Sequence, residues 1–181
     1  QYNDADPYNY LEYDALGRPT LLSLRNSSDD SVINEVKRVY NGLGQLITEY
    51  QEHAGAVNTS TSAKVQYAYT EMASSANHSR LTKITYPGTR IVRYEYSSGL
   101  DNNISRLSFL ADDSSGSVGT HLEEYGYLGL ASVIKRAHPQ PGVDLTYIKQ
   151  TGESAGDAGD QYTGLDRFGR VVDQRWLVAS T

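Results

Sequence analysis

What the chain lacks narrows its chemistry first. There is no cysteine among its 181 residues, which excludes a disulfide framework, a thiolate metal centre and a thiol nucleophile, and leaves the redox compartment open. One Met, one Trp and two Phe leave little of the heavy apolar mass from which helical cores are built. No apolar run reaches the roughly 18 residues of a membrane-crossing helix, and the opening "QYNDADPYNY" has neither the basic region nor the hydrophobic segment of a signal peptide. Sixteen Lys and Arg stand against 22 Asp and Glu, for a net charge of −6, and the cations are scattered. Neither nucleic acid nor an acidic membrane surface is expected as a partner, and no membrane insertion is expected.

Recognisable catalytic spacing is also missing. No G-x-S-x-G elbow, G-x-x-x-x-G-K-[ST] loop or G-x-G-x-x-G fingerprint occurs. The histidines His53, His78, His121 and His138 form neither H-x-H nor H-E-x-x-H, so they read as surface residues rather than metal ligands. The acidic pairs Asp29-Asp30, Asp112-Asp113 and Glu123-Glu124, and "GDAGD" at 156–160, do not match a calcium loop and read as solvated loop charge. No catalytic residue, cofactor or metal is assigned, and the chain is not expected to be an enzyme.

What the sequence has is tyrosine, 15 of them, and glycine, 16. Tyr carries a ring with a wet tip, which suits half-exposed strands. Period-two alternation supports this: Val65, Tyr67 and Tyr69 share one face of "KVQYAYT", and Val92, Tyr94 and Tyr96 one face of "RIVRYEY". No window reads as a helix, because Gly, Ser and Asn interrupt too often. The polar segments "RNSSDDS", "QEHAGAVNTSTSA", "EMASSANHS", "LADDSSGSVG", "HPQPG" and "QTGESAGDAGD" read as loops. In "TYPGTR", Pro87 and Gly88 suit the two centres of a type II turn joining strands 80–86 and 89–96. A second hairpin is expected near 105–134. The sequons at Asn26, Asn58, Asn77 and Asn103 all fall in loop-like segments.

One phrase recurs: "YDALGRPT" from Tyr13, "YNGLGQLI" from Tyr40 and "LDRFGRVV" from Leu165. Recurrence with the glycine in register marks a repeated structural unit rather than a catalytic loop. Aligning units on the residue before the turn gives Tyr13, Tyr40, Tyr69, Tyr96, Tyr127 and Leu165, spaced by 27, 29, 27, 31 and 38 residues. Each turn reads as D-x-x-G-R. Asp14 or Asp166 (Asn41 in the middle copy) accepts backbone N–H bonds from two or three residues on, and Gly17, Gly44 or Gly169 takes positive φ. Arg18 or Arg170 then lies across a neighbouring ring or pairs with a carboxylate. The strand-ending tyrosines are expected to stack as a ladder of rings at one strand spacing, about 4.8 Å. Valine at Gly17 or Gly169 should cost more than at Gly119, read as a flexible loop position.

These residues carry a resemblance. "YDALGR", "YNGLGQL", "SRLTKITYPGTRIVRYEY" and "LDRFGRVVDQRW" resemble the YD repeats of the Rhs family, related to the shells of bacterial polymorphic toxins, the C components of insecticidal toxin complexes and the teneurin barrel. The resemblance covers nearly the whole chain. It implies an all-β fold in which antiparallel hairpin repeats form a curved, spiralling sheet. Residues 1–181 would be one array of about five to six repeats within a longer protein. It further implies secretion or cell-surface location, neighbouring repeats of the same chain as partners, and an encapsulated toxin or other cargo domain inside a non-catalytic shell. The long loops and Leu165 in place of Tyr depart from the family pattern. "ADPYN" at 5–9 lacks the glycine of a D-P-x-G segment, so self-cleavage is not assigned. The alternative is a cell-surface adhesion or carbohydrate-binding module that stacks glycan rings on exposed Tyr.

Overall fold

The computed structural model describes residues 6–70, 72, 78–97, 99–147, 164–166 and 168–178. Two compact units divide the chain, Gln1–Ile91 and Val92–Thr181. Among the described residues the fold is all-β and antiparallel, with 12 strands and a single four-residue helical turn.

The first unit holds β1 (Tyr8–Tyr13), β2 (Pro19–Arg25), β3 (Val32–Tyr40), β4 (Leu46–Glu52), β5 (Ala63–Tyr69) and β6 (Leu81–Thr85), each antiparallel to its sequence neighbour. Each of β1, β3 and β5 ends on one of the aligned tyrosines, and the register slips there in each case, between Glu12 and Tyr13, Val39 and Tyr40, and Ala68 and Tyr69. A slip of this kind bends the strand and re-aims the last side chain. The alternation read in "KVQYAYT" holds in β5, where Val65, Tyr67 and Tyr69 are half-buried and Gln66 and Ala68 exposed.

Packing in this unit runs sideways between adjacent strands. Its buried residues are polar, namely Ser23, Glu35, Thr48 and Ser62, and among its described residues no apolar side chain is fully buried. Ser23 faces Glu35 across β2 and β3. Glu35 is satisfied there, its Oε2 accepting the Val57 N–H at 2.8 Å, which meets the requirement that a buried charge be hydrogen-bonded.

The second unit contains β7 (Ile91–Glu95, its first residue at the boundary), α1 (Leu100–Asn103), β8 (Phe109–Ser114), β9 (Ser117–Leu128), β10 (Ser132–His138), β11 (Val143–Thr146) and β12 (Arg175–Val178). Here apolar side chains are buried among the described residues, namely Val92, Ala111, Ile134, Ala137 and Leu165. Leu165 replaces the aligned Tyr at a buried position, bridged to Val171, where a hydroxyl would have to find a partner or stay unsatisfied.

Four expectations are corrected. "LADDSSGSVG" is not a loop but strand, turn and strand: Ser114 pairs with Ser117, and Ser115 and Gly116 both have positive φ, 51° and 89°. Two positive φ values in a two-residue connection define a type I′ turn, which matches the twist of the flanking strands. The expected hairpin at 105–134 accordingly spans three strands, β8, β9 and the start of β10. Gly119 lies inside β9, and a Cβ there would stand 2.7 Å from the Asp112 carbonyl oxygen; it is a close-packed glycine, not a flexible one. In "TYPGTR" the positive φ falls on Thr89 (65°) rather than Gly88. The Thr89 N–H donates to Tyr86 O and the Tyr86 N–H to Arg90 O, both at 2.9 Å. That pattern is a type I turn followed by a left-handed residue, not type II.

Candidate functional site

The recurring turns place one set of groups in one geometry. In the first, Asp14 Oδ1 accepts the Leu16 N–H at 2.9 Å and the Arg18 N–H at 3.0 Å, while Oδ2 accepts Arg18 Nε at 2.6 Å. In the last, Asp166 does the same with Phe168, Arg170 and Arg170 Nε at 2.9, 2.9 and 2.7 Å. Asn41 supplies Oδ1 to Leu43 and Gln45 at 3.0 and 2.9 Å, and its Nδ2 donates to Gln45 Oε1 at 3.0 Å. The side chain therefore caps the second and fourth N–H groups. The third, from the glycine, goes to the backbone oxygen of the Asp or Asn at 2.9 to 3.0 Å. Closing that loop requires the left-handed φ of Gly17, Gly44 and Gly169, between 76° and 82°. The backbone N–H of Arg18 is the main force holding the Asp14 carboxyl below the usual aspartate range, and the guanidinium adds to it. Arg170 does the same for Asp166.

Three turns reach a Tyr on the next strand. The Arg18 guanidinium lies over the Tyr40 ring, 4.5 Å from its centroid, and the Tyr40 hydroxyl donates to Pro19 O at 3.0 Å. Tyr69 donates to Leu46 O at 3.1 Å, the residue after Gln45. In the second unit Arg106 lies 4.1 Å from the Tyr127 centroid, and Tyr127 donates to Leu107 O at 2.5 Å. In all three the hydroxyl of a Tyr at or next to the end of its strand binds the carbonyl of the residue after an Arg or Gln, and at Tyr40 and Tyr127 that Arg also lies over the ring. The expected ladder of touching rings is corrected by this geometry. The aligned tyrosines of the first unit end alternate strands, about two strand spacings apart, and the Tyr40 ring meets the Arg18 guanidinium rather than another ring.

Arg106 was not among the residues singled out from the sequence, because its turn reads "SSGLDNNISR" and holds α1 instead of D-x-x-G. Asp101 nonetheless takes the Asp14 part. Its Oδ1 accepts Arg106 Nε at 2.6 Å and its Oδ2 the Ser108 hydroxyl at 2.7 Å. The signal that finds it is the offset from a polar Arg or Gln plus one residue to the Tyr, 21, 23 and 20 residues in the three cases. Tyr96 follows β7 and is half-buried. Tyr13 is different: it is 58 % exposed.

The other candidate groups stay apart. His121 pairs with Glu124 at 2.5 Å and stacks on Phe109, His138 lies 3.9 Å from Glu123, and His78 contacts Thr70. Among the described residues no three His, Asp or Glu side chains converge on a metal-sized space. Asp29 caps Ser31, Asp30 binds Arg25 and the Tyr8 hydroxyl, and Asp113 binds Arg93. The segment "GDAGD" and the sequon residue Asn77 lie outside the described residues. A depression of about 370 Å³ on β1 to β3, lined by Leu11, Leu22, Leu24, Asn34 and Val36 among others, contains no carboxylate, histidine or lysine. Among the described residues no helix is long and apolar enough to cross a membrane. Compared with known proteins, the chain matches no family model and no curated protein.

Proposed function

We propose that this chain is wall material: a non-catalytic, repeat-built segment of a curved β-shell of the YD-repeat kind that encloses a toxin or other cargo domain outside the producing cell. The observation that carries the reading is the Arg, ring and carbonyl contact at Tyr40 and Tyr127. Each of the recurrent residues Asp14, Gly17, Arg18, Asn41, Gly44, Asp166 and Gly169 serves a turn or joins it to the next strand. None is left over for a substrate. The scarcity of buried apolar side chains also suits a thin wall better than a self-contained globule, which would need a dry core.

The test pairs a glycan array with particle imaging. The 181-residue chain should bind no sugar class, and the gene product that contains it should appear as hollow particles by electron microscopy. Micromolar binding of one sugar class, lost in Tyr94→Ala or Tyr125→Ala while the fold persists, would replace the wall with the adhesion module.

A further inference from the structure

We propose that Asn41 is a site of self-modification: the Gly42 backbone nitrogen closes on the Asn41 side-chain amide, and hydrolysis of the ring leaves aspartate or isoaspartate in place of asparagine. The inference does not use the wall reading. Asn41-Gly42 is the one Asn-Gly pair in the chain, and its turn is the copy in which an amide stands where Asp14 and Asp166 stand in the others. Glycine matters because the attacking nitrogen is its own: without a Cβ the backbone bends toward the side chain at little steric cost. Gly42 is exposed, and among the described residues no group accepts its N–H.

The amide is also prepared as an electrophile. When a nitrogen adds to Cγ, negative charge develops on Oδ1, and that oxygen already accepts the Leu43 N–H at 3.0 Å and the Gln45 N–H at 2.9 Å. Fixed donors at such an oxygen favour the tetrahedral intermediate. The Arg18 guanidinium reaches the same turn, since a Cβ on Gly44 would stand 2.9 Å from its Nη1, and it adds positive potential there. Solvent hydroxide takes the Gly42 amide proton, the nitrogen bonds to Cγ, and the Cγ–Nδ2 bond breaks, the leaving nitrogen taking a proton from water to depart as ammonia. One water then opens the succinimide at either carbonyl. No oxidant or reductant enters, and the chain gains one negative charge.

The two products differ in what the turn can keep. Aspartate at 41 has the acceptor set of Asp14 and Asp166, so both N–H caps survive. Its second oxygen meets Gln45 Oε1, which in the unmodified turn accepts Asn41 Nδ2 and the Ser79 hydroxyl, each at 3.0 Å. The Gln45 amide therefore has to turn over to donate, and Ser79 to accept. Isoaspartate routes the main chain through Cγ, so the carbonyl that receives the Gly44 N–H at 3.0 Å leaves the main chain. That turn loses its closing bond.

Incubation of the folded 181-residue chain at mildly alkaline pH, followed by peptide mass spectrometry and enzymatic methylation of isoaspartate, tests this. Asn41 should lose its amide well before Asn26 and Asn58, which precede Ser and Thr, and both isomers should appear. Gly42→Ala should suppress the loss with the far-UV circular dichroism unchanged, because Ala15 holds that place in the first turn. A parallel incubation in urea needs no variant and separates structure from sequence: the folded chain should lose the Asn41 amide at least as fast as the unfolded one. Retention of Asn41 in the folded chain with loss in urea, a rate no higher than at Asn26 or Asn58, or undiminished loss in Gly42→Ala would each overturn the proposal.

Discussion

If the guanidinium between strands is what joins one turn to the next, removing it must show as an energetic coupling with the ring. Arg18→Gln installs at the first turn the residue that Gln45 already provides at the second, so it keeps the backbone turn and deletes the cation. Tyr40→Leu deletes the ring. The Arg18 side chain is 28 % exposed and 4.5 Å from the centroid, between the exposed and desolvated limits, so the double-mutant cycle should give a coupling of about 1 kcal/mol. Tyr40→Phe, which loses only the hydroxyl bond to Pro19 O, should cost about 1 kcal/mol by itself and leave the coupling to Arg18 intact. The internal control is Gln45 with Tyr69, where the carbonyl bond exists without a cation; Gln45→Ala with Tyr69→Leu should couple far less. Urea unfolding reads these as midpoint shifts of roughly 0.5 M per kcal/mol for a slope near 2 kcal/mol/M. The sole Trp, Trp176, lies in the second unit, so the first unit must be followed by far-UV circular dichroism or tyrosine emission. A coupling at Arg18 and Tyr40 no larger than at Gln45 and Tyr69 would refute the role given to the guanidinium.

Two other outcomes are expected. Gly119→Ala should destabilise by about 1–3 kcal/mol through overpacking, at least as much as Gly17→Ala, because its Cβ meets the Asp112 carbonyl while that of Gly17 meets open space and only the strain of its φ; a thermal melt ranking Gly17→Ala clearly worse would contradict the packing of β9. Tyr125 is pushed up to about 12 by burial first, with a hydrogen bond and the charge of Glu123 adding. A raised phenol favours the folded state while neutral, so its contribution is complete below the ordinary value of about 10 and is lost as pH rises from there through about 12. Tyr125→Phe should therefore flatten alkaline unfolding in that window, and an unchanged profile would count against the burial of this ring.

Much of this was legible in the sequence because the turn chemistry is local. Asp14, Gly17 and Arg18 sit within five residues, and the polar cap and the positive φ follow from residue type alone. The alternation of β5 was equally readable, since one side of it is wetter than the other. The failures share a physical cause. Gly119 and the Ser115-Gly116 turn sit in "LADDSSGSVG", where polar composition imitates a loop, and only the partner strand reveals the pairing. Thr89 takes the left-handed conformation in place of the adjacent Gly88, because the hydrogen bonds of the turn select the position and the residue type only sets its cost. Arg106 was hidden because its contact to Tyr127 spans more than one turn and the motif around it is rewritten.

The polar stripe of the first unit explains why this composition is sufficient for a sheet. Ser23, Glu35 and Thr48 are buried, and Arg25, whose Nε donates to the Ser23 hydroxyl and whose guanidinium lies 3.9 Å from the Tyr10 centroid, covers the same face. Fifteen tyrosines with only two Phe and one Trp then become a solution rather than a deficit, since a ring covered by a guanidinium buries area while its hydroxyl binds a carbonyl on the neighbouring strand. Stabilisation of that kind is lateral. Each further strand paired side by side adds contacts of the same kind.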